Sequence, residues 1–552
     1  MIRNMQQLSC LKRQNNNYLT YFIGGCEYEK DCKKVIPVLI SLTMLLGACG
    51  SDKTAESPKE NQDVQIQEAD AETTAGESNE TPTLEEVTTI TMPVMITMNP
   101  CEDRDKVQEE LNKKLLEKGY PVQVNFLFID FSSWGQQIDL LLADGQIDLF
   151  NCSFMESMSS LAGKGAIAPL DDLLDKYGQG IKDTLGEYLV CGKIGGVTYG
   201  TPKYSCYGNA PMFIMNKEML DKAGISRDDI TDLNSLTDAL RKVHEIYPDV
   251  TMISTGAGGS LYDASGLDWL GGDKAYACLK LDKDNTEMKV INYYATDDFK
   301  DLLDITKVWV DEGFIRKDAI NYQDASFSAL HDQSAFGTFA GYANEEICDS
   351  VYASSIAYPT CSAQLDENAW ITTGNVSGMT WCIPALSKNQ EAAMIFLNAM
   401  YVDPDISNIV CNGIEGVHYV VTDQGNLDYV DPETQSATTS GWPSGMGSFW
   451  PNMLIAYPWA PDTQESYAAQ IQSNEESLSS PALGFVFDPT NVSDQVAAVN
   501  NVMSKYYNPL MLHQGDTDEL LSNMLKELEQ AGVNDIITEK QKQLDEWLAE
   551  NK

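Results

Sequence analysis

Basic residues are scarce in this chain. Against 82 aspartates and glutamates stand 37 lysines and arginines among 552 residues, a formal net charge of −45. A surface this negative repels phosphate backbones and anionic headgroups, which argues against nucleic acid as a partner and against adsorption to a membrane surface. Histidine is rarer still: the four residues His244, His331, His418 and His513 are too scattered for a sequence-local zinc site. His244-Glu245 lacks the second histidine of a zinc-protease helix. Gly256-Ala257-Gly258-Gly259-Ser260 has the glycines of a phosphate loop but not its lysine, and is expected to be a plain loop. Gly374-Asn375-Val376-Ser377-Gly378 is mis-spaced for a G-x-S-x-G nucleophile elbow. Neither a metal nor another cofactor is implied. Cysteine is not lacking, but paired cysteine motifs are. Of thirteen cysteines, Cys10, Cys26, Cys32 and Cys49 lie near the start. The rest (Cys101, Cys152, Cys191, Cys206, Cys278, Cys348, Cys361, Cys382 and Cys411) are odd in number and show no CxxC spacing. A body this large needs no staples, so they are expected to be mostly unpaired small hydrophobes.

A hydrophobic run long enough to span a bilayer is also missing near the start. Residues 35–46 form an apolar run of about a dozen residues, where a spanning helix needs roughly 20. Lys33 and Lys34 precede it and Leu46-Gly47-Ala48-Cys49 closes it, which is the grammar of a secretory signal. The closing residues resemble the lipobox of bacterial lipoproteins, in which the thiol is diacylated and becomes the new N-terminus; Cys49 is the lipidation candidate. A short buried helix ending in cysteine is the competing reading, and the charge-rich tract that follows argues against it. Residues 1–48 are thus a signal region, with 1–32 expected to be an over-extended start. Residues 49–86 are the lipidated cysteine and an acidic tether with almost nothing to bury. As a random coil its roughly 35 residues span on the order of 30 Å.

The hydrophobic content, 43% with 9% aromatic, is that of a globular body. Val87-Thr88-Thr89-Ile90-Thr91-Met92 alternates as a strand does. A helix follows with Val107, Leu111 and Leu115 on one face, then a strand at 122–128, a helix at about 134–143 and an apolar run at 147–150. This β-α-β-α-β order predicts a parallel sheet with helices on its faces. Ligands of such sheets sit beyond the carboxyl ends of the strands, which nominates Asn99, Asp130, Trp134, Phe150, Asn151 and Ser153. The glycine-bearing stretch 195–202, followed by Tyr204-Ser205-Cys206-Tyr207 and the apolar 212–215, predicts a crossing between lobes. A second α/β pattern has helices around 236–246, 299–309 and 390–400. The end is helical: Asp516 and Glu519 read as a capping box, Leu521, Met524, Leu525 and Leu528 as an apolar stripe, and Gly532 as its stop.

Three stretches carry a family resemblance: residues 139–149 (DLLLADGQIDL), 166–174 (AIAPLDDLL) and 196–202 (GVTYGTP). With the lipobox and tether they resemble extracellular solute-binding lipoproteins of ABC importers in Gram-positive bacteria. Residues 480–485 (SPALGF) and 539–548 (EKQKQLDEWL) are similar to the DUF3502-type domain found on one branch of that family. The resemblance implies an α/β, two-lobed, type II periplasmic-binding-protein-like fold with hinge strands and a helical C-terminal end. It divides the body into 87–206 and 376–430 for the first lobe and 207–375 for the second. Residues 431–552, an aromatic loop and helical region, are expected to pack mainly on the second lobe.

Sugar rings present apolar C–H faces that suit aromatic side chains. The richest segment is 441–459, with Trp442, Trp450 and Trp459 among glycines and prolines, although a packed loop would look the same. Tyr207, Trp269 beside Gly271, and Tyr342 at a strand end complete the candidate set. Trp309 and Trp547 lie on apolar helix faces and are expected in the core. The expected function is a monomeric, non-catalytic receptor, held at the extracellular membrane face by its lipid alone. It would pass a small solute, expected to be a sugar or oligosaccharide, to permease subunits. The alternative is a surface lipoprotein glycoside hydrolase, for which an acidic chain supplies carboxylates, or a polysaccharide-binding adhesin.

Overall fold

A computed structural model describes residues 86–551, apart from residues 98, 154, 156, 256–265, 272–275, 284–286, 323–329, 354–355 and 443–448. The signal-like segment, Cys49, the tether, the glycine-rich 256–260 stretch and part of the aromatic loop lie outside the described residues.

Strand β1 (Thr88–Ile96) runs parallel to β2 (Val122–Asp130), with Thr88 opposite Val122 and Ile96 opposite Asp130. Helix α1 (Arg104–Glu117) connects them. Its residues Val107, Leu111 and Leu115, four apart and so one above another on a single face, are all buried. Helix α2 (Trp134–Ala143) buries Trp134, Ile138 and Leu142 by the same spacing. The expected third parallel strand takes a different form. β3 (Phe150–Asn151) pairs antiparallel with residues 380–382 instead. Beside β1 the ladder is replaced by one residue: the Asp148 amide donates to the Thr91 carbonyl at 2.8 Å, and the Asp148 carboxylate accepts the Thr91 amide at 2.8 Å. A side chain standing in for a carbonyl ends the ladder there. β4 (Thr201–Pro202) joins the same three-stranded sheet on the far side of 380–382.

The chain then enters a second sheet. β5 (Ala210–Asn216) is buried along its whole length, as a central strand covered on both faces must be. Helix α3 (Leu233–Ile246), β6 (Thr251–Ile253), helix α4 (Asp297–Asp311), β7 (Ala335–Tyr342) and β8 (Thr360–Gln364) follow. The strand order is β8-β5-β7-β6. Trp309 on α4 is fully buried and donates its indole N–H to Thr237 Oγ1 on α3 at 2.8 Å. β9 (Trp370–Ile371), the short helix α5 (Thr373–Ser377) and β10 (Thr380–Cys382) carry the chain back. Helices α6 (Gln390–Val402) and α7 (Pro404–Asn412) complete the first core; α6 is apolar nearly all round because it lies inside it.

After α8 (Gln464–Glu476), β11 (Leu478–Ser479) pairs with β9, and helices α9 (Ser493–Met511), α10 (Thr517–Ala531) and α11 (Val533–Asn551) close the chain. Asp516 caps α10 by accepting the Glu519 amide at 2.9 Å, and Gly532 stops it in the left-handed conformation at φ 94°. Two large hydrophobic cores result. The first draws on residues 90–185 and 381–456, the second on 213–365 and 482–544. The C-terminal helices belong to the second core, but Trp442 and Trp450 belong to the first. That part of the 431–552 region therefore differs from the expectation, because the indoles pack against Phe126 on β2 rather than against the second sheet.

Between the cores three segments run side by side. Lys203 N–H donates to the Met379 carbonyl at 2.8 Å, Asn209 and Trp370 exchange two backbone hydrogen bonds of 3.0 Å, and Leu478 N–H donates to Ala369 at 2.8 Å.

Candidate functional site

A cavity of about 650 Å³ opens beside the crossings, lined by residues 152–159, 268–271, 372–380 and 486–489. That lies within the roughly 300–1,000 Å³ of small-molecule sites. One wall is the turn after β3, with Cys152 and Ser153, and the residues around Ser157 that begin the next helix. The floor is α5 and the residues flanking it: Thr372, Asn375, Ser377 and Thr380. The opposite wall is the Trp269 loop of the second lobe together with Val486, Phe487 and Pro489.

Local chemistry explains each part. Thr372 caps α5: its Oγ1 accepts the Asn375 amide, and Asn375 Oδ1 accepts the Thr372 amide at 2.9 Å, a reciprocal box that satisfies two orphan donors. With Oδ1 so occupied, the exposed Asn375 has its Nδ2 group for a ligand oxygen. Ser153 Oγ reaches the Gly378 carbonyl at 3.1 Å, tying the first wall to the floor. On the far side, the buried Asp268 accepts the Leu270 amide at 2.7 Å and the Ser480 hydroxyl at 2.5 Å. Burial raises its carboxyl above the usual range, opposed by those two bonds and by the Lys540 charge. The Trp269 ring is half-buried and stacks on Tyr294, with centroids 6.5 Å apart and planes at 28°. Gly271 sits at φ 81°, and a Cβ there would lie 2.9 Å from the Val486 Cα, so only glycine lets the two segments of this wall touch.

The thirteen residues nominated from sequence fall in different places. Ser153 and Trp269 line the cavity, and Cys49 lies outside the described residues. Asn99 is buried, donating to the Ala437 carbonyl at 3.0 Å and accepting the Cys101 amide. Asp130 is exposed at the end of β2, and Trp134 and Phe150 are buried in a small core behind the first wall. Asn151, one residue from the cavity wall, donates to the Phe449 carbonyl at 3.3 Å. Tyr207 is buried in the crossing and donates to the Lys203 carbonyl at 2.7 Å. Tyr342 packs on Tyr352. Trp442 donates to the Val410 carbonyl at 3.1 Å, Trp450 stacks on Trp381 at 5.9 Å, and Trp459 donates to Asn412 Oδ1 at 2.8 Å. None of these ten is part of the cavity lining. Sequence reasoning missed Thr372, Asn375 and Phe487. The Thr-x-x-Asn box is a legible helix start, but nothing in it points to a ligand. Phe487 lies just beyond the 480–485 motif, and nothing local marks it as a wall residue.

Burial lowers the Lys203 amine to about 8 and pushes the Tyr207 hydroxyl well up. All nine described cysteines are unpaired and eight are buried. The Cys382 thiol is raised by its hydrogen bond to Cys152 and then by burial. Among the described residues no group of three or more metal-ligating side chains gathers.

Two lobes, three crossings and a cleft between them define a class of receptors built to close on a solute. The family model for bacterial extracellular solute-binding proteins matches residues 102–404, more than half of the chain, and the chain belongs to that family. A domain of unknown function, DUF3502, matches residues 481–549. A carbohydrate ABC transporter substrate-binding protein of Streptococcus pneumoniae serotype 4 is 24% identical over 448 residues, covering 80% of this chain and 87% of the relative. The crystal structure of the N-glycan transport solute binding protein NgtS from Streptococcus pneumoniae is similar with a TM-score of 0.72 at 21% identity, over 84% of this chain and all of that one. FusA, an ABC-transporter substrate binding protein of S. pneumoniae solved with kestose, has a TM-score of 0.56 at 18% identity, again over 84% of this chain and all of that one. At these identities the structural likenesses show the two-lobed fold.

Proposed function

We propose that this chain is a lipid-anchored extracellular receptor that captures an oligosaccharide between its lobes and delivers it to an ABC-type permease, without a catalytic step. The observation that carries the reading is the make-up of the cleft. The half-buried Trp269 lines a cavity of about 650 Å³ together with several hydroxyls and the Asn375 amide, with the Phe487 ring buried behind the lining. Aromatic faces cover sugar C–H surfaces while amides and hydroxyls meet the sugar hydroxyls. The relatives support it: NgtS has been solved with Man1GlcNAc and with Man5GlcNAc, and FusA with kestose. In this reading the chain passes between lobes at 206/207 and again at 375/376, and ligand contacts to both sides favour the closed form. Anchoring is by two acyl chains on Cys49, since one chain alone binds marginally.

The test is ligand-linked stability. Titrating the protein with mannosyl-N-acetylglucosamine, kestose and a wider panel of neutral oligosaccharides is expected to raise its melting temperature in a dose-dependent way for at least one sugar. No shift across the panel, with no change in tryptophan fluorescence, would sink the reading. Release of reducing ends during the titration would instead establish a hydrolase.

A further inference from the structure

The region matched only as a domain of unknown function does more than cover the second core. It reaches the cleft twice. Val486, Phe487 and Pro489 form part of the wall directly. From α11, Lys540 buries its whole side chain beneath that wall. Its ammonium donates to the Trp269 carbonyl at 3.0 Å and to the Ala277 carbonyl at 2.8 Å, and lies 5.0 Å from the centre of the Phe487 ring. One cation thus holds the half-buried Trp269 through its backbone and the buried Phe487 behind it through its π face. The Phe487 amide completes the clamp by donating to the Leu270 carbonyl at 3.0 Å.

A fully buried lysine is an odd choice for plain packing, because its desolvation must be offset by well-made contacts. α11 does not need it merely to dock. Gln541 accepts the Val290 amide at 2.8 Å and donates to the Met288 carbonyl at 3.0 Å, and Gln543 accepts the Asp488 amide at 2.9 Å. Lys540 adds to the Phe487–Leu270 backbone bond a side-chain link that holds Trp269 and Phe487 in one relation.

We propose that the 481–549 domain is an integral third part of the ligand-binding cleft, through Val486 and Pro489, and that Lys540 is its positioning residue, fixing the Trp269 wall, backed by the buried Phe487 ring, against which the solute packs. The proposal rests on the receptor reading above and gives the domain a role in affinity and specificity.

The test uses the full chain and two readouts, one of which needs no ligand. In Lys540→Met, hydrogen exchange of the amides in 266–271 and 276–281 is expected to quicken at least tenfold, while amides in 122–130 of the first lobe are unchanged. Affinity for whichever of mannosyl-N-acetylglucosamine or kestose the wild type binds is expected to fall at least tenfold. Quickened exchange in the Trp269 loop with affinity for that sugar unchanged overturns the proposal. Unchanged exchange in the Trp269 loop overturns it as well, even if the wild type binds neither sugar; in that case the sugar panel separately counts against the receptor reading. Should Lys540→Met not fold, Phe487→Leu serves: affinity reduced with the melting temperature within a few degrees supports the proposal, and unaltered affinity overturns it.

Discussion

Asp148 and Thr91 exchange two hydrogen bonds of 2.8 Å each, one through the Asp148 amide and one through its carboxylate. The second carboxylate oxygen accepts the Ser387 hydroxyl at 2.6 Å and Asn389 Nδ2 at 3.3 Å. One buried side chain therefore joins β1, the segment leading to β3, and the return of the chain into the first lobe. Asp148→Ala strands the part-buried Thr91 amide and the buried Ser387 hydroxyl, and is expected to cost about 2–4 kcal/mol. Urea denaturation should show a lower midpoint at unchanged slope. A loss below about 0.5 kcal/mol would mean that water replaces the carboxylate.

Trp269 and Trp450 should separate binding from stability. Trp450 stacks on Trp381 with planes at 14°, so Trp450→Ala is expected to cost about 3–5 kcal/mol as a cavity in the first core. Trp269 is half-buried at the cleft, and Trp269→Ala is expected to weaken saccharide binding by about tenfold or more while lowering stability far less. Isothermal titration and thermal melts on the two variants check the pair; equal effects on binding would contradict the assignment of the cleft wall.

Alkaline pH should unfold this protein early. Burial pushes the thiols of Cys191, Cys278, Cys348 and Cys411 up to about 12 from an ordinary value of 9.0. Tyr120, Tyr188 and Tyr419 move to about 12 from 10.0, also chiefly through burial. Each folded value lies above its unfolded one, so the unfolded chain loses these protons first. Their stabilisation is full below pH 9 and is lost between about 9 and 12. Lys203, lowered to about 8 from 10.5, acts in the opposite sense between those values, one group against several. The urea midpoint is therefore expected to fall steeply above pH 9. Cys278→Ala should reduce that slope by up to about 1.4 kcal/mol per pH unit. A midpoint flat to pH 11 would show the thiols to be hydrated.

The proposed lipidation of Cys49 has its own test. Cys49→Ser is expected to leave the urea midpoint unchanged and to move the protein from the membrane fraction to the medium, or to leave it unprocessed. Retention in the membrane fraction at wild-type level would count against lipidation at this residue.

Much of the local structure was written in the chain. Val107, Leu111 and Leu115 announced α1, the β-branched alternation from Thr88 announced β1, and Asp516 and Gly532 marked the two ends of α10. These signals are legible because helix and strand periods depend on neighbours a few residues away. The family resemblance of residues 139–149, 166–174 and 196–202 also carried the two-lobed class. The cleft was not legible in that way. Ser153 and Trp269 could be nominated by position, but Asn375 and Phe487 could not, because their meeting depends on segments more than one hundred residues apart in sequence. An indole among glycines and prolines looks the same whether it faces a sugar or fills a core. Only tertiary packing put Trp442 and Trp450 against Phe126, left Trp269 on the cavity wall, and set the Lys540 ammonium between the Trp269 carbonyl and the Phe487 ring. The sequence by itself determined the elements and their order; burial, which is a property of the whole fold, decided which aromatic residues were left for a ligand.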